Sequence, residues 1–194
     1  VSENRQTYKC YGCGVSGDVF GFVMDYDKID FVSAVQLLAD RVGVEVTFEG
    51  ESSEGRGSKD MLLKLHKEAA SYYHRMLLTG KSGQLAREYL KERDLPEDIV
   101  REFQIGFALD EWDGLLSGAI KKGHSKEDLI SAGLVTQNEK KKTYDRFRNR
   151  LMFPICDHMG RVIGFSGRVM DKADKSAKYV NSPETLIFRK SRVL

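Results

Sequence analysis

The chain has 194 residues, 41% of them hydrophobic and 31% charged, enough for one medium domain or two small ones under a well-solvated surface. Its apolar runs, such as residues 151–155, are too short to cross a bilayer, and the polar first ten residues show no signal peptide. Net charge is only +2, but residues 137–194 hold 14 Lys/Arg against 6 Asp/Glu, an uneven distribution that suggests a polyanionic partner, with a solvated face of scattered lysines as the alternative.

Near the start, Tyr8-Lys9-Cys10-Tyr11-Gly12-Cys13-Gly14 forms a CxxC knuckle. Two thiolates at this spacing can grip one Zn²⁺ from a tight turn, and the glycines let the backbone aim N–H groups at the sulfurs. A structural zinc takes four ligands, and no second CxxC or nearby CxxH follows; the nearest histidine, His66, falls on an expected helix. A redox dithiol and two unrelated thiols are the alternatives, the first lacking the strand of a βαβ unit before it. The odd cysteine count, with Cys156 the third, and the missing export signal suggest the reducing cytoplasm. The start at Val1 suggests a piece trimmed from a longer protein.

Phe31, Val35, Leu38, Ala39 and Val42 recur at helical spacing, with Gly43 as a stop, and Val44, Val46 and Phe48 alternate as a short strand would. The Gly- and Ser-rich stretch 50–58 is read as a flexible linker between a first domain, 1–49, and a second, 59–194. Leu62, Leu65, Ala69, Tyr72, Tyr73, Met76 and Leu77 predict a long helix, and residues 82–93 a second. Pro96 opens a short helix to Phe103, while Ser125 and Asp128 form a capping box for another helix that Gly133 closes. From Arg146 the period becomes two. Leu151, Phe153 and Ile155, a turn at 157–160, then Ile163, Phe165 and Val169 predict a hairpin. Cys156 is expected to be buried in the first strand, and Trp112 to be core or a partly buried helix start.

If residues 146–150 are extended, Arg146, Arg148 and Arg150 share one face and match the repeating charge of a phosphate backbone; an arginine-protected edge strand is the alternative. Arg168 sits among the small residues Gly164, Ser166 and Gly167, where another backbone could approach. In Lys178-Tyr179-Val180-Asn181, the tyrosine could stack on a base, the lysine hold a phosphate and the asparagine bond a base or sugar, although Asn181-Ser182-Pro183 could equally be an ordinary turn. Lys190 adds a late cation.

Residues 6–46 resemble the second half of the zinc-binding domain of bacterial DnaG-type primases, and residues 87–108 and 144–190 resemble the N-terminal subdomain of the same family's RNA-polymerase core. The resemblance implies an α+β fold: a zinc-ribbon-type remnant, a linker, then a mixed helical and β-hairpin subdomain. It implies a Cys/His/Cys/Cys zinc site of which Cys10 and Cys13 are present, the other two ligands preceding Val1. It further implies a template- and primer-binding groove using Arg93, Arg168, Lys178 and Lys190, helped by Arg146, Arg148 and Asn181. One departure is Asp94, where many relatives have glycine after the arginine.

The activity implied is DNA-templated synthesis of RNA primers, with single-stranded DNA, RNA primer and nucleotides as partners, a replicative helicase bound through a further C-terminal domain, and a monomeric state. Such chemistry needs Mg²⁺ or Mn²⁺ held by clustered carboxylates. Asp25, Asp27 and Asp30, like Glu111 and Asp113, are read as solvated surface, so the metal-holding acids are expected in a Toprim part after Leu194 and no catalytic residue is expected here. Two other readings remain open: a non-catalytic single-strand-binding module, favoured if no acidic motif follows, and a phage or mobile-element primase, favoured by a helicase P-loop downstream.

Overall fold

The computed structural model describes residues 1–44, 46, 53–79, 81–170 and 176–190, with only the backbone of residues 53, 54 and 56. They fall into two compact units, Val1–Glu51 and Ser52–Leu194.

In the first unit, β1 (Thr7–Lys9) pairs antiparallel with β2 (Ser16–Asp18), Tyr8 facing Gly17, and the knuckle lies between them. Helix α1 (Val19–Asp27) starts where Asp18 accepts the Gly21 N–H at 2.8 Å. Helix α2 (Phe31–Val42) starts at Asp30, which accepts from the Ser33 N–H at 2.9 Å, and ends at Gly43, whose φ of 69° suits the left-handed cap. Asp30 is thus a cap, not merely solvated surface. The α2 stripe is shallow: Ala34 and Ala39 are buried, while Phe31 and Val42 are exposed. Val44 and Val46 belong to no strand, and Phe48 lies outside the described residues.

The second unit is organised by α3 (Ser53–Thr79). It begins within the expected linker, so residues 53–58 are helical; residues 50–52 lie outside the described residues. Extending an existing helix gains one hydrogen bond per residue without a second nucleation cost, although each glycine there is roughly 1 kcal/mol less favourable than alanine. A 3₁₀ turn (Lys81–Gly83) leads to α4 (Gln84–Glu92) and α5 (Glu97–Glu102), the latter entered through Pro96 as expected. Then come β3 (Gly106–Ala108), α6 (Gly114–Lys121), α7 (Lys126–Ser131), β4 (Val135–Gln137), β5 (Thr143–Asp145), β6 (Arg150–Cys156), β7 (Val162–Val169) and β8 (Tyr179–Asn181). The Ser125 hydroxyl accepts the Asp128 N–H at 3.0 Å and caps α7.

Strands β3, β6, β7 and β8 form one antiparallel sheet in that order; β4 and β5 form a separate hairpin. Helix α3 packs on this sheet. Gly106 is required there, because a Cβ would stand 2.5 Å from the Tyr73 Cβ. Tyr73 and Phe165 meet edge to face at 5.4 Å, with Leu62, Leu65, Phe147 and Met152 buried around them. Each such side chain contributes roughly 1.5–3 kcal/mol by leaving water. A second cluster, Leu77, Leu90, Val100, Phe107 and Leu151, joins α4 and α5 to the far side of β6. Cys156 is exposed rather than buried, because a register shift between Ile155 and Cys156 ends the regular pairing of β6. Among the described residues no helix is long and apolar enough to cross a membrane.

Candidate nucleic-acid interface

Tyr89 lies on α4, and Arg93, four residues later, caps its end. Four residues is one helical turn, so the two side chains are neighbours, and the Arg93 guanidinium lies 5.4 Å from the centre of the Tyr89 ring. The next residue, Asp94, has φ 51°, a conformation that glycine adopts without cost. That is a physical reason for the glycine that the resemblance led one to expect there.

Across the sheet, Arg168 on β7 pairs with Tyr179 on β8. Its guanidinium lies 5.3 Å from the Tyr89 ring centre and 5.7 Å from that of Tyr179, and the Lys178 ammonium lies 6.0 Å from the latter. Three cations from three distant parts of the sequence therefore converge on two tyrosines. Asn181 follows Tyr179 by two residues on the same strand and so belongs to its face. Among the described residues no carboxylate forms an ion pair with Arg93, Arg168 or Lys178. The buried Arg168 Nε likewise has no hydrogen-bond partner. A guanidinium against a ring keeps its edge donors available, the arrangement in which arginine grips phosphate. Tyr179 is 52% exposed and can offer a ring to a base. Tyr89 was not anticipated, although its spacing from Arg93 was a signal.

The arginine run behaves differently. Asn149 has φ 49°, so residues 146–149 do not continue as a strand and the three guanidiniums do not share a face. Arg150 is buried, donating to the Ala177 carbonyl at 2.8 Å and the Ser176 hydroxyl at 2.9 Å. The Arg148 guanidinium lies over Trp112, 4.0 Å from a ring centre, and donates to the Asp145 carbonyl at 2.8 Å. Trp112 is 60% exposed, not core: Arg148 and the edge of Tyr144 cover it only in part. The Arg146 Nε is buried without a partner among the described residues. Lys190 is exposed, and among the described residues no hydrogen bond, ion pair or ring contact ties it or Arg146 to the tyrosine cluster.

Asp145 is the buried carboxylate of this region. It accepts the Leu115 N–H at 2.8 Å and the Leu116 N–H at 3.0 Å, satisfying two donors at the start of α6. Burial pushes its pKa up to about 6, against the opposing pull of those two donors.

At the knuckle, Cys10 and Cys13 are both exposed. Hydrogen bonds from the Cys13 and Gly12 backbone N–H groups hold the Cys10 thiol below its ordinary pKa, as suits a zinc thiolate. The pair fits half of a tetrahedral site. Among the described residues no group of three His, Cys, Asp or Glu could hold a metal ion.

The fold and site define an α+β unit with a surface where cations meet tyrosines and, among the described residues, form no ion pair with a carboxylate, preceded in the chain by a CxxC knuckle. The chain belongs to the bacterial DnaG-type DNA primase family: residues 72–194 match the family described as DNA primase catalytic core, N-terminal domain, and residues 1–54 match the CHC2 zinc finger. It is 43% identical to the DNA primase of Clostridium acetobutylicum over 98% of this chain and 31% of that protein. The chain thus spans about a third of the length of the curated relatives it matches. The crystal structure of the RNA polymerase domain of Mycobacterium tuberculosis primase with a double-stranded DNA oligomer bearing a 6-nucleotide overhang superposes with TM-score 0.63 at 39% identity, covering 68% of this chain and 41% of that one. The zinc-binding and RNA polymerase domains of Aquifex aeolicus primase superpose with TM-score 0.60 at 32% identity, covering 98% of this chain and 44% of that one. The CHC2 match supports a structural zinc.

Proposed function

We propose that this chain is the template- and primer-holding front of a primase that synthesises RNA primers on single-stranded DNA. The observation that carries this reading is the convergence of Arg93, Arg168 and Lys178 on Tyr89 and Tyr179 with, among the described residues, no carboxylate paired to them. The cations hold successive phosphates, Tyr179 stacks on a base, worth roughly 1–3 kcal/mol, and Asn181 bonds a base or sugar edge. Arg146, Arg148 and Lys190 supply peripheral phosphate contacts. The DNA carried by the Mycobacterium tuberculosis relative supports the assignment.

The intact protein is the nucleotidyltransferase. Its Mg²⁺- or Mn²⁺-holding acids, two further zinc ligands and helicase-binding segment belong to parts other than the described residues; the protein is a cytoplasmic monomer. Domain 1–49 is the end of the zinc-binding domain, 50–58 the junction and 59–194 the polymerase subdomain. When bound, the zinc braces the knuckle; the divalent ions polarise the phosphate under attack.

The test is binding of a fluorescent oligothymidylate across a salt series. Arg168→Ala should weaken binding about tenfold at low salt, and the slope of log K against log salt should shrink by about 0.7, one single-strand phosphate contact. Unchanged affinity and slope would sink the reading.

A further inference from the structure

We propose that Tyr89 is a positioning residue: its ring fixes Arg93 and Arg168 as a single two-guanidinium clamp for a phosphodiester strand. The inference rests on the nucleic-acid reading above and goes beyond it, because Tyr89 itself need not touch the strand.

Both guanidinium carbons lie within 5.4 Å of the Tyr89 ring centre, so they are no more than about 11 Å apart. One comes from the end of α4, the other from near the end of β7, 75 residues later in the chain. Two like charges in one cluster repel, and among the described residues no carboxylate forms an ion pair with either. An arrangement that gathers cations without neutralising them is suited to a ligand that brings the negative charge itself. The cation-facing ring is what reconciles the pair before the ligand arrives, since each guanidinium is attracted to its electron-rich face. The ring is itself anchored. Tyr89 is half-buried and packs against the Leu77, Leu90 and Leu151 cluster that joins α4 to β6. Tyr89 therefore sets the spacing between a helix-borne and a sheet-borne cation, and that spacing selects a strand whose charges repeat, rather than a lone anion.

The test uses the full chain and oligothymidylate. Tyr89→Leu keeps an apolar side chain on the cluster but removes the ring, and should weaken binding about fivefold, with a salt slope smaller by up to about 0.7. Tyr89→Phe keeps the ring and should bind within about twofold of the parent. A purely structural role would lower the melting temperature but leave the salt slope of the folded protein alone. A second measurement does not alter Tyr89: if Arg93 and Arg168 act as one clamp, the Arg93→Ala/Arg168→Ala double variant should lose less than the product of the two single losses. That cycle decides the matter if Tyr89→Leu fails to fold. Parental binding and slope in Tyr89→Leu, a Phe variant as weak as the Leu variant, or independent losses in the cycle would each overturn the positioning role. If Arg168→Ala weakens binding all the same, the nucleic-acid reading survives; if it too binds normally, both fall.

Discussion

Two basic regions of this chain look alike on paper and differ in the fold. Residues 145–150 hold three arginines within five positions, yet their backbone is tied to the rest of the unit at every turn. The Asp145 N–H goes to Trp112, that of Arg146 to Leu134 and that of Asn149 to Leu109. Two of the three guanidiniums follow suit: Arg150 braces the residues before β8, and Arg148 lies on Trp112, whereas the Arg146 Nε has no partner among the described residues. Arg93, Arg168 and Lys178 are isolated in sequence, but they converge on shared rings and, among the described residues, no acid pairs with them. Local charge density is therefore a poor guide to a binding surface. What decides is whether a cation's donors are already used by its own chain.

The largest test of this contrast addresses Asp145. Its carboxyl titrates near 6 in the folded protein and near 3.8 when unfolded, so the folded state holds the proton more tightly in between. Its contribution to stability is full below about pH 4, declines as pH rises through 6, and is flat above that. Each tenfold difference in proton affinity is worth about 1.4 kcal/mol, so the decline approaches roughly 3 kcal/mol. Asp145→Asn cannot titrate, so the stability difference between parent and variant, read from urea midpoints between pH 4 and 7, should change in the variant's favour as pH rises. A difference independent of pH would show that the carboxyl is not desolvated.

Next comes Arg150→Ala. It strips hydrogen bonds from Ala177 and Ser176 and should cost about 2 kcal/mol of stability, with any loss of DNA affinity traceable to displacement of the segment carrying Lys178. A variant that melts like the parent but binds DNA poorly would return Arg150 to the binding surface and undo the comparison.

The sequence foretold the parts of the fold that periodicity governs. The α3 stripe, the Pro96 entry to α5, the Ser125 cap and the β6–β7 hairpin all depend on neighbours within a few residues. Strands β3 and β8 have three residues each, and they become strands only because β6 and β7 stand there to pair with them. No local pattern encodes that. The site divides in the same way. Arg93, Arg168, Lys178 and Asn181 were nameable through the family resemblance, but Tyr89, the ring on which two of them meet, needed the packing of α4 against the sheet. The shared face expected for Arg146, Arg148 and Arg150 failed at one residue, Asn149, whose left-handed backbone turns the chain before β6 begins.

The smallest expected effect is also the most discriminating. Arg148 has one face on Trp112 and one donor on the Asp145 carbonyl, so an approaching phosphate would find it partly committed. Arg148→Ala should weaken oligothymidylate binding only about twofold, against about tenfold for Arg168→Ala. Trp112 is the chain's single tryptophan, which makes its emission a local reporter. Removing the guanidinium should change that emission strongly, whereas saturating the parent with DNA should change it little if, as proposed, the strand is held by Arg93, Arg168 and Lys178. Equal losses for the two arginine variants, together with strong quenching of Trp112 on DNA binding, would mean that the strand also runs across the Trp112 face, and that a cation resting on an exposed ring is available wherever it lies.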